Sequence, residues 1–250
     1  MPEQTRGVLL HEGKSKRLFS VLGPDGSVDT GKVVLHYKDD ATAFNGIKFD
    51  VVKDKGMVTA TISWHLTQLL EQQGGIRTHL IDRLSTVDHL CHHLDIIPVE
   101  VVVRNILAGS AAKRFGRKEG EVLDGPMVEF FYKSNALNDP HIAEEHALTF
   151  GWADRWELEF MKQSALKINA ILKEYWTGWD LDLVDIRLEF GRSESGAILL
   201  ADEISPDASR LWDKSTRRRF DKDVFRRDLG DLGDTYRELY RRIFGQSVNV

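Results

Sequence analysis

Ala197-Ile198-Leu199-Leu200-Ala201-Asp202-Glu203-Ile204-Ser205-Pro206-Asp207-Ala208-Ser209-Arg210-Leu211-Trp212 is the stretch on which the reading of this chain turns. An apolar strand delivers two adjacent acids, Pro206 forces a turn, and Asp207, Ser209 and Arg210 follow as a second polar group. Neighbouring side chains of a strand point to opposite faces, so Asp202 and Glu203 share one site only if the strand has already ended. Acids at the end of a buried strand are costly unless a cation meets them. A divalent metal, or an arginine such as Arg210, is the expected partner. A soluble fold has little structural reason to place four charged residues here, which marks an active-site segment.

Working outward, Leu181–Phe190 and Ala197–Ala201 form a hairpin across the turn-rich 191–196. Asp185, Arg187 and Glu189 alternate with Val184, Ile186, Leu188 and Phe190, so one face is polar and the other faces a core. Such a face is ordinarily solvated. Beside a strand ending in Asp202, however, Glu189 and Asp202 are placed to share one Mg²⁺, whose sites commonly use one or two carboxylates plus nucleotide phosphates. Upstream, the strand Ile96–Val103 is apolar enough to be buried on both faces and runs into Arg104-Asn105. Gly109-Ser110 then opens a short helix, 111–115. Arg104 with Ser110 suits an anion site. The alternative is Ser110 as an ordinary helix cap and Arg104 in a surface ion pair. In Glu12-Gly13-Lys14-Ser15-Lys16 the two lysines share a face of an extended chain, which a polyphosphate between them would stabilise, although a solvated hairpin tip is the commoner origin of such a pattern. No Walker loop is present.

The rest of the chain sets limits. With 42% apolar and 29% charged residues over 250 positions, the composition is that of a globular protein with a sizeable core. The 34 basic and 39 acidic residues are spread along the chain, net −5, and no basic tail favours nucleic acid. The single cysteine, Cys91, excludes an intrachain disulfide and reads as a packed thiol. With no signal peptide and no long apolar stretch, a cytoplasmic protein that does not enter the membrane is expected. Strands dominate the first third, followed by a helix over 56–73 that Gly74-Gly75 ends. A strand is expected over 79–84, a long amphipathic helix over 156–176, and closing helices over 224–229 and 234–244. The fold class is α+β: a small β-rich lobe, residues 1–95, then a larger α+β lobe, residues 96–250, around a cleft. His92-His93 and His141 with His146 lack metal-ligand spacing, and Arg217-Arg218-Arg219 with Asp221-Lys222-Asp223 reads as a solvated charged face.

Taken in order, Glu12–Lys16, Asp39-Asp40-Ala41-Thr42-Ala43-Phe44-Asn45-Gly46, Val102-Val103-Arg104-Asn105, Ala108-Gly109-Ser110, Leu188-Glu189-Phe190-Gly191, Asp202–Asp207, Ser209–Asp213 and Asp221–Gly230 resemble the SAICAR synthetase family over nearly the whole chain, Leu9 to Phe244. The resemblance implies two lobes around an ATP cleft and an ATP-dependent ligase joining L-aspartate to the carboxylate of carboxyaminoimidazole ribotide in purine biosynthesis. It implies that Lys14, Lys16 and Lys133 hold ATP phosphates, that Leu94 and Ile96 border adenine, and that Glu189 and Asp202 bind Mg²⁺. Arg104, Ser110, Asp185, Asp207 and Arg210 match ribotide-binding positions, Asn45 borders that ligand, and Lys14, Arg187, Asp202 and Arg210 fall at catalytic positions. A homo-oligomer is compatible with this. Three departures stand out: Thr59-Ala60 replace an asparagine pair, Arg187 a lysine, and Ile76-Arg77-Thr78 an Ile-Pro-Thr. Touching substrate, they would suit a paralogue acting on a related azole nucleotide in a nucleoside-antibiotic pathway. A nucleotide-binding protein without catalysis is the alternative of another class.

Overall fold

A computed structural model describes residues 5–245. In chain order the elements are β1 (Thr5–Glu12), β2 (Lys16–Leu22), β3 (Val28–Tyr37), β4 (Asp40–Ala43), β5 (Lys48–Val51), α1 (Lys55–Gly74), β6 (Leu80–Arg83), β7 (Asp88–His92), β8 (Asp95–Ile96), β9 (Val99–Ile106) and α2 (Gly109–Arg114). They continue with β10 (Val122–Tyr132), β11 (His141–Ile142), α3 (Glu144–Thr149), α4 (Arg155–Thr177), β12 (Leu181–Arg192), β13 (Ile198–Ala201), β14 (Ser209–Asp213), α5 (Asp223–Arg226) and α6 (Leu232–Phe244). One antiparallel sheet has the order β1-β2-β3-β7-β6, the other β11-β10-β9-β12-β13 with β8 and β14 also on β12, and β4-β5 is a separate hairpin. The α+β class expected from the sequence is observed.

All eight residues of β9 are buried, because β10 and β12 flank it and both its faces are covered. Val99, Val101 and Val103 face the core with Ile186, Leu188 and Phe190 of β12, and α4 covers them with Leu158, Met161, Ala165, Ile168 and Leu172. Each of these side chains apart from Ala165 adds about 1.5–3 kcal/mol on full burial, so one face of this sheet secures the fold and frees the other for charge. α1 joins the same core through Val58, Ile62, Leu66 and Leu70, as does α6 through Tyr236, Leu239 and Ile243. Although α1 precedes residue 96, its apolar face therefore packs with the larger sheet's helices.

Several expectations shift. The strand expected over 96–103 is two, β8 and β9, because Pro98 lacks the N–H that a continuous ladder needs. Both halves pair with the long β12. The helix expected over 224–229 shortens to α5, with Asp228 in the left-handed region (φ +53°) just beyond it. β10 has no clear signal in the sequence, since Gly125-Pro126 interrupts its pattern; there the register with β9 slips between Val122 and Met127.

Candidate active site

The alternation along β12 places Asp185, Arg187 and Glu189 on the sheet face away from α4. Glu100 and Arg104 of β9 and Glu129 of β10 join them, and this face borders two adjoining cavities. The larger, about 540 Å³, has apolar walls from Leu18, Val33, Leu35, Cys91, Leu94 and Ile96. Its polar end holds Lys14, Lys16, Lys133, Glu189 and Asp202. The smaller, about 180 Å³, lies against Arg104, Ser110, Asp185, Asp207, Arg210 and Arg226. Glu100 and Arg187 line both.

At the junction, β13 ends at Ala201 and Asp202 takes a left-handed conformation (φ +59°). The strand rule that would separate Asp202 from Glu203 no longer applies. Both carboxylates accept from the partly buried Lys16 ammonium, Glu203 at 2.6 Å. The expectation that Arg210 meets these acids is corrected: a lysine from β2 meets them, Arg210 turns to Asp185 and Asp223, and Glu203 is part of the anchor. Burial opposes the Lys16 charge, but Asp202 and Glu203 outweigh it and hold the ammonium above the ordinary lysine range. Burial likewise opposes the Asp202 carboxylate, yet Lys16, Arg187 and Lys133 keep its pKa well below the usual range. Arg187 donates to Glu100 at 2.7 Å and lies 3.5 Å from Glu189 and 3.9 Å from Asp202. One guanidinium thus reaches all three carboxylates. Lys133 pairs with Glu189.

Lys14 and Lys16 line the same cavity but do not stand side by side. The bend closed by Gly13 N–H to the Lys16 carbonyl (2.8 Å) sends Lys14 to Asn45 Oδ1 (2.7 Å) and Asn135 Oδ1 (2.8 Å). Asn45 itself lines neither cavity; its amide donates to the Asn135 carbonyl at 2.7 Å and ties Lys14 to the 134–139 loop. Leu94 packs with Leu199 and Ala201.

In the smaller cavity, charges alternate. Arg104 donates to Glu129 (2.5 Å) and Asp185 (2.7 Å), and Arg210 donates to Asp185 (2.7 Å) and Asp223 (2.9 Å). Arg226 closes the series on Asp223 at 2.7 Å. Burial opposes the Arg210 charge, but Asp185 and Asp223 hold its pKa above the ordinary arginine value. Gly109 makes this possible: at φ +56° it adopts a conformation other residues resist, and a Cβ there would lie 2.6 Å from the Arg210 guanidinium. Ser110 sits inside the first turn of α2, whose cap position is Ala108, so it is not a helix cap. Asn105 points away from this cavity, donating to Asn169 of α4 at 2.8 Å.

Asp207 accepts from the Tyr236 hydroxyl at 2.6 Å and pairs with Lys55 at 2.7 Å, with Lys222 at 3.6 Å. Burial opposes its charge, yet Lys222 and Lys55 hold its pKa far below the carboxylate range. The Asp221-Lys222-Asp223 run read as a solvated face is instead buried at both acids. Asp221 accepts from the Leu211 and Asp223 amides, and burial, aided by Asp223, lifts its pKa to about 7. Lys55, Glu100, Glu129, Glu203 and Lys222 escaped residue-by-residue reading, because each acts across more than a dozen positions of sequence or sits in a run that looks solvated; Arg226 escaped because its partner Asp223 did. Cys91 is fully buried and burial pushes its thiol pKa up, as a packed thiol requires.

The SAICAR synthetase family model matches residues 9–243. The chain belongs to the SAICAR synthetase family. It is 48% identical over 239 residues to the phosphoribosylaminoimidazole-succinocarboxamide synthase of Anoxybacillus flavithermus, covering 96% of this chain and 97% of the relative. The same-named protein of Chlorobium limicola is 49% identical over 238 residues, covering 95% and 98%. Among solved structures, a type-2 SAICAR synthetase in complex with ADP superposes with a TM-score of 0.90 at 43% identity, covering 96% of this chain and 99% of that one. The Pyrococcus horikoshii SAICAR synthetase gives 0.85 at 44%, covering 90% and 98%. As a SAICAR synthetase, the chain is an ATP-dependent ligase of purine biosynthesis. Of the three departures, Thr59 and Ala60 are buried in α1, where the Thr59 hydroxyl donates to the Lys55 carbonyl at 2.9 Å, and neither lines the two cavities. Arg77 lies outside both as well. Of these positions only Arg187 lines the cavities, and it lines both.

Proposed function

We propose that the larger cavity takes ATP and the smaller one carboxyaminoimidazole ribotide, and that the enzyme joins L-aspartate to the ribotide carboxylate with release of ADP and phosphate. The observation that supports this most is that Arg187 and Glu100 line both cavities, so a phosphoryl donor in one faces an acceptor in the other. The apolar wall with Leu94 and Ile96 suits a base, and the lysines at the far end suit phosphates. Lys16 has two of its three N–H groups on Asp202 and Glu203, and Lys14 has two on Asn45 and Asn135. Each retains one donor for a phosphate oxygen. Arg104, Ser110, Arg210 and Arg226 would receive the ribotide and its phosphate.

In this reading the γ-phosphoryl group passes to a carboxylate oxygen of the ribotide. The aspartate amine then attacks that carbon, phosphate leaves, and an amide remains. Phosphoryl transfer demands alignment and charge neutralisation more than covalent help, and Arg187 is held by Glu100 at the point where equatorial charge develops. Glu189 and Asp202, both within reach of one guanidinium, form a carboxylate pair suited to Mg²⁺ alongside nucleotide phosphates. Such an ion would neutralise phosphate charge during transfer. We assign residues 1–95 to the nucleotide side and 96–250 to the metal and ribotide side, and place the enzyme in the cytoplasm. Among the described residues no helix is long and apolar enough to cross a membrane.

A coupled ADP-release assay tests the whole reading: turnover must require both the ribotide and L-aspartate, and Asp202→Asn must abolish it in a folded protein. Tight ATP binding without turnover on this pair would point instead to a related azole nucleotide; near-normal rates for Asp202→Asn would remove the metal assignment.

A further inference from the structure

Lys55, the first residue of α1, is only 1% exposed, and Tyr236 of α6 is fully buried. Neither lines either cavity. Both converge on one carboxylate, Asp207, which does line the smaller cavity: Lys55 Nζ lies 2.7 Å from Oδ2, and the Tyr236 hydroxyl donates to Oδ1 at 2.6 Å. We infer that Lys55, seconded by Tyr236, is a positioning residue of the ligase reaction, acting through Asp207 to set the Asp207–Arg210 wall of the ribotide cavity. This rests on reading that cavity as the ribotide site.

The connection is continuous. The Asp207 amide donates to Ser205 Oγ at 3.0 Å, and the Ala208 amide donates to the Ser205 carbonyl at 3.0 Å. The Ala208 carbonyl in turn accepts from the Arg187 amide at 2.9 Å. Two residues on, Arg210 reaches Asp185. A shift of Asp207 therefore moves the backbone beside Arg187 and the guanidinium of Arg210 together. Lys55 has little freedom to follow such a shift. Its neighbour Gly56 packs so closely on β3 that a Cβ there would lie 2.6 Å from the Tyr37 carbonyl, and the Gly56 amide donates to Asp39 Oδ1 at 2.8 Å.

Stability alone does not account for the pair, because well-packed apolar residues of similar volume commonly match or exceed a buried ion pair. What an ammonium and a phenol supply that two leucines would not is a fixed direction for one carboxylate. Tyr236 supplies the hydrogen bond that orients the carboxylate, the Lys55 ammonium stands in ion-pair contact with Oδ2 at 2.7 Å, and Lys222 stands further off, 3.6 Å from the same oxygen.

The test is steady-state kinetics of full-length Lys55→Met and Tyr236→Phe, with ATP, ribotide and L-aspartate each varied, alongside thermal unfolding. For Lys55→Met the ribotide KM is expected to rise about tenfold or more while the ATP KM stays within about twofold. The acid limb of its kcat/KM profile is expected to move to higher pH, because Asp207, left with only the more distant Lys222 ammonium, is harder to ionise. Tyr236→Phe, which keeps the ring, is expected to raise the ribotide KM in the same selective way by a smaller factor. If Lys55→Met does not fold, Tyr236→Phe decides: a selective rise supports the inference and an unchanged KM overturns it. Equal rises in both KM values, or a wild-type KM and pH profile in Lys55→Met, also overturn it. A wild-type enzyme that ignores the ribotide overturns the ribotide reading and this inference together, whereas normal wild-type turnover with an indifferent Lys55→Met overturns this inference alone.

Discussion

Asp185→Asn is the substitution on which the electrostatics of the smaller cavity can be judged. In the wild type a single carboxylate oxygen, Oδ2, accepts from Arg104 and Arg210, each at 2.7 Å, and the residue is 4% exposed. Asparagine keeps the shape and removes the charge, leaving the buried Arg104 and the partly buried Arg210 facing a neutral amide. Breaking a buried pair by neutralising one partner costs about 3–5 kcal/mol. Two charge-assisted hydrogen bonds at about 1.5–3 kcal/mol each lead to the same range. Against a total stability of about 5–15 kcal/mol this is a large fraction. At about 2–4 °C per kcal/mol for a domain of this size, Tm should fall by about 10 °C. The variant also acquires excess positive charge in a cavity whose Arg104, Arg210 and Arg226 are otherwise offset by Glu129, Asp185 and Asp223. Inorganic phosphate should therefore stabilise Asp185→Asn more than the wild type; at about 100 times the variant's Kd the variant gains about 2.7 kcal/mol in all, and the wild type less. Thermal and guanidinium unfolding with and without phosphate measure both effects. A loss under about 1 kcal/mol, or equal stabilisation of the two proteins by phosphate, would refute the charge-alternation account.

Gly109→Ala should cost about 1–2 kcal/mol for its left-handed conformation and displace the Arg210 guanidinium, raising the ribotide KM while sparing the ATP KM; unchanged ribotide kinetics would contradict the close approach. Chelation with EDTA should abolish ADP release and excess Mg²⁺ should restore it, and turnover that survives exhaustive chelation would exclude Glu189 and Asp202 as metal ligands. For pH dependence, burial keeps His79 and His89 neutral in the fold, with pKa values lowered to about 4 and about 3, so unfolding takes up two protons between about pH 5 and 6. Asp221, raised to about 7 by burial and by Asp223, releases one proton on unfolding over the same range. The net uptake of one proton means that these groups make stability fall by about 1.4 kcal/mol per pH unit on acidification, and Asp221→Asn should about double that slope. Chemical denaturation at pH 6.0 and 5.0 reads it, and an unchanged slope in the variant would show that Asp221 is ionised in the fold.

Much of the larger sheet was legible because its logic is periodic. The alternation of Asp185, Arg187 and Glu189 with Ile186, Leu188 and Phe190 is a property of the strand itself, and the pairing of Glu189 with Ala201 confirms the hairpin expected across 191–196. Burial of β9 was legible in the same way from its run of valines. What escaped depends on where the backbone leaves a pattern. Asp202 has no sequence signal for a left-handed conformation, yet that one dihedral brings Asp202 and Glu203 to a common lysine. Asp221 and Asp223 look solvated until the chain segment carrying Leu211 and Arg210 supplies their partners. Lys55 lies 152 positions before Asp207, beyond the reach of any local pattern.

β12 also has a metric consequence. Asp185 belongs to one cavity, Glu189 to the other, and Arg187 to both; with ATP in the larger and the ribotide in the smaller, as proposed, the interval from donor to acceptor is counted out in pairs of residues along a single strand, about 6.6 Å per pair. Loops around the site can close, loosen or diverge without altering that interval. Selectivity for the amine or the azole can therefore drift through the surrounding loops while the phosphoryl geometry stays constant. A one-residue insertion between Asp185 and Glu189, by contrast, would turn one of the two toward α4 and dismantle the reaction centre at once.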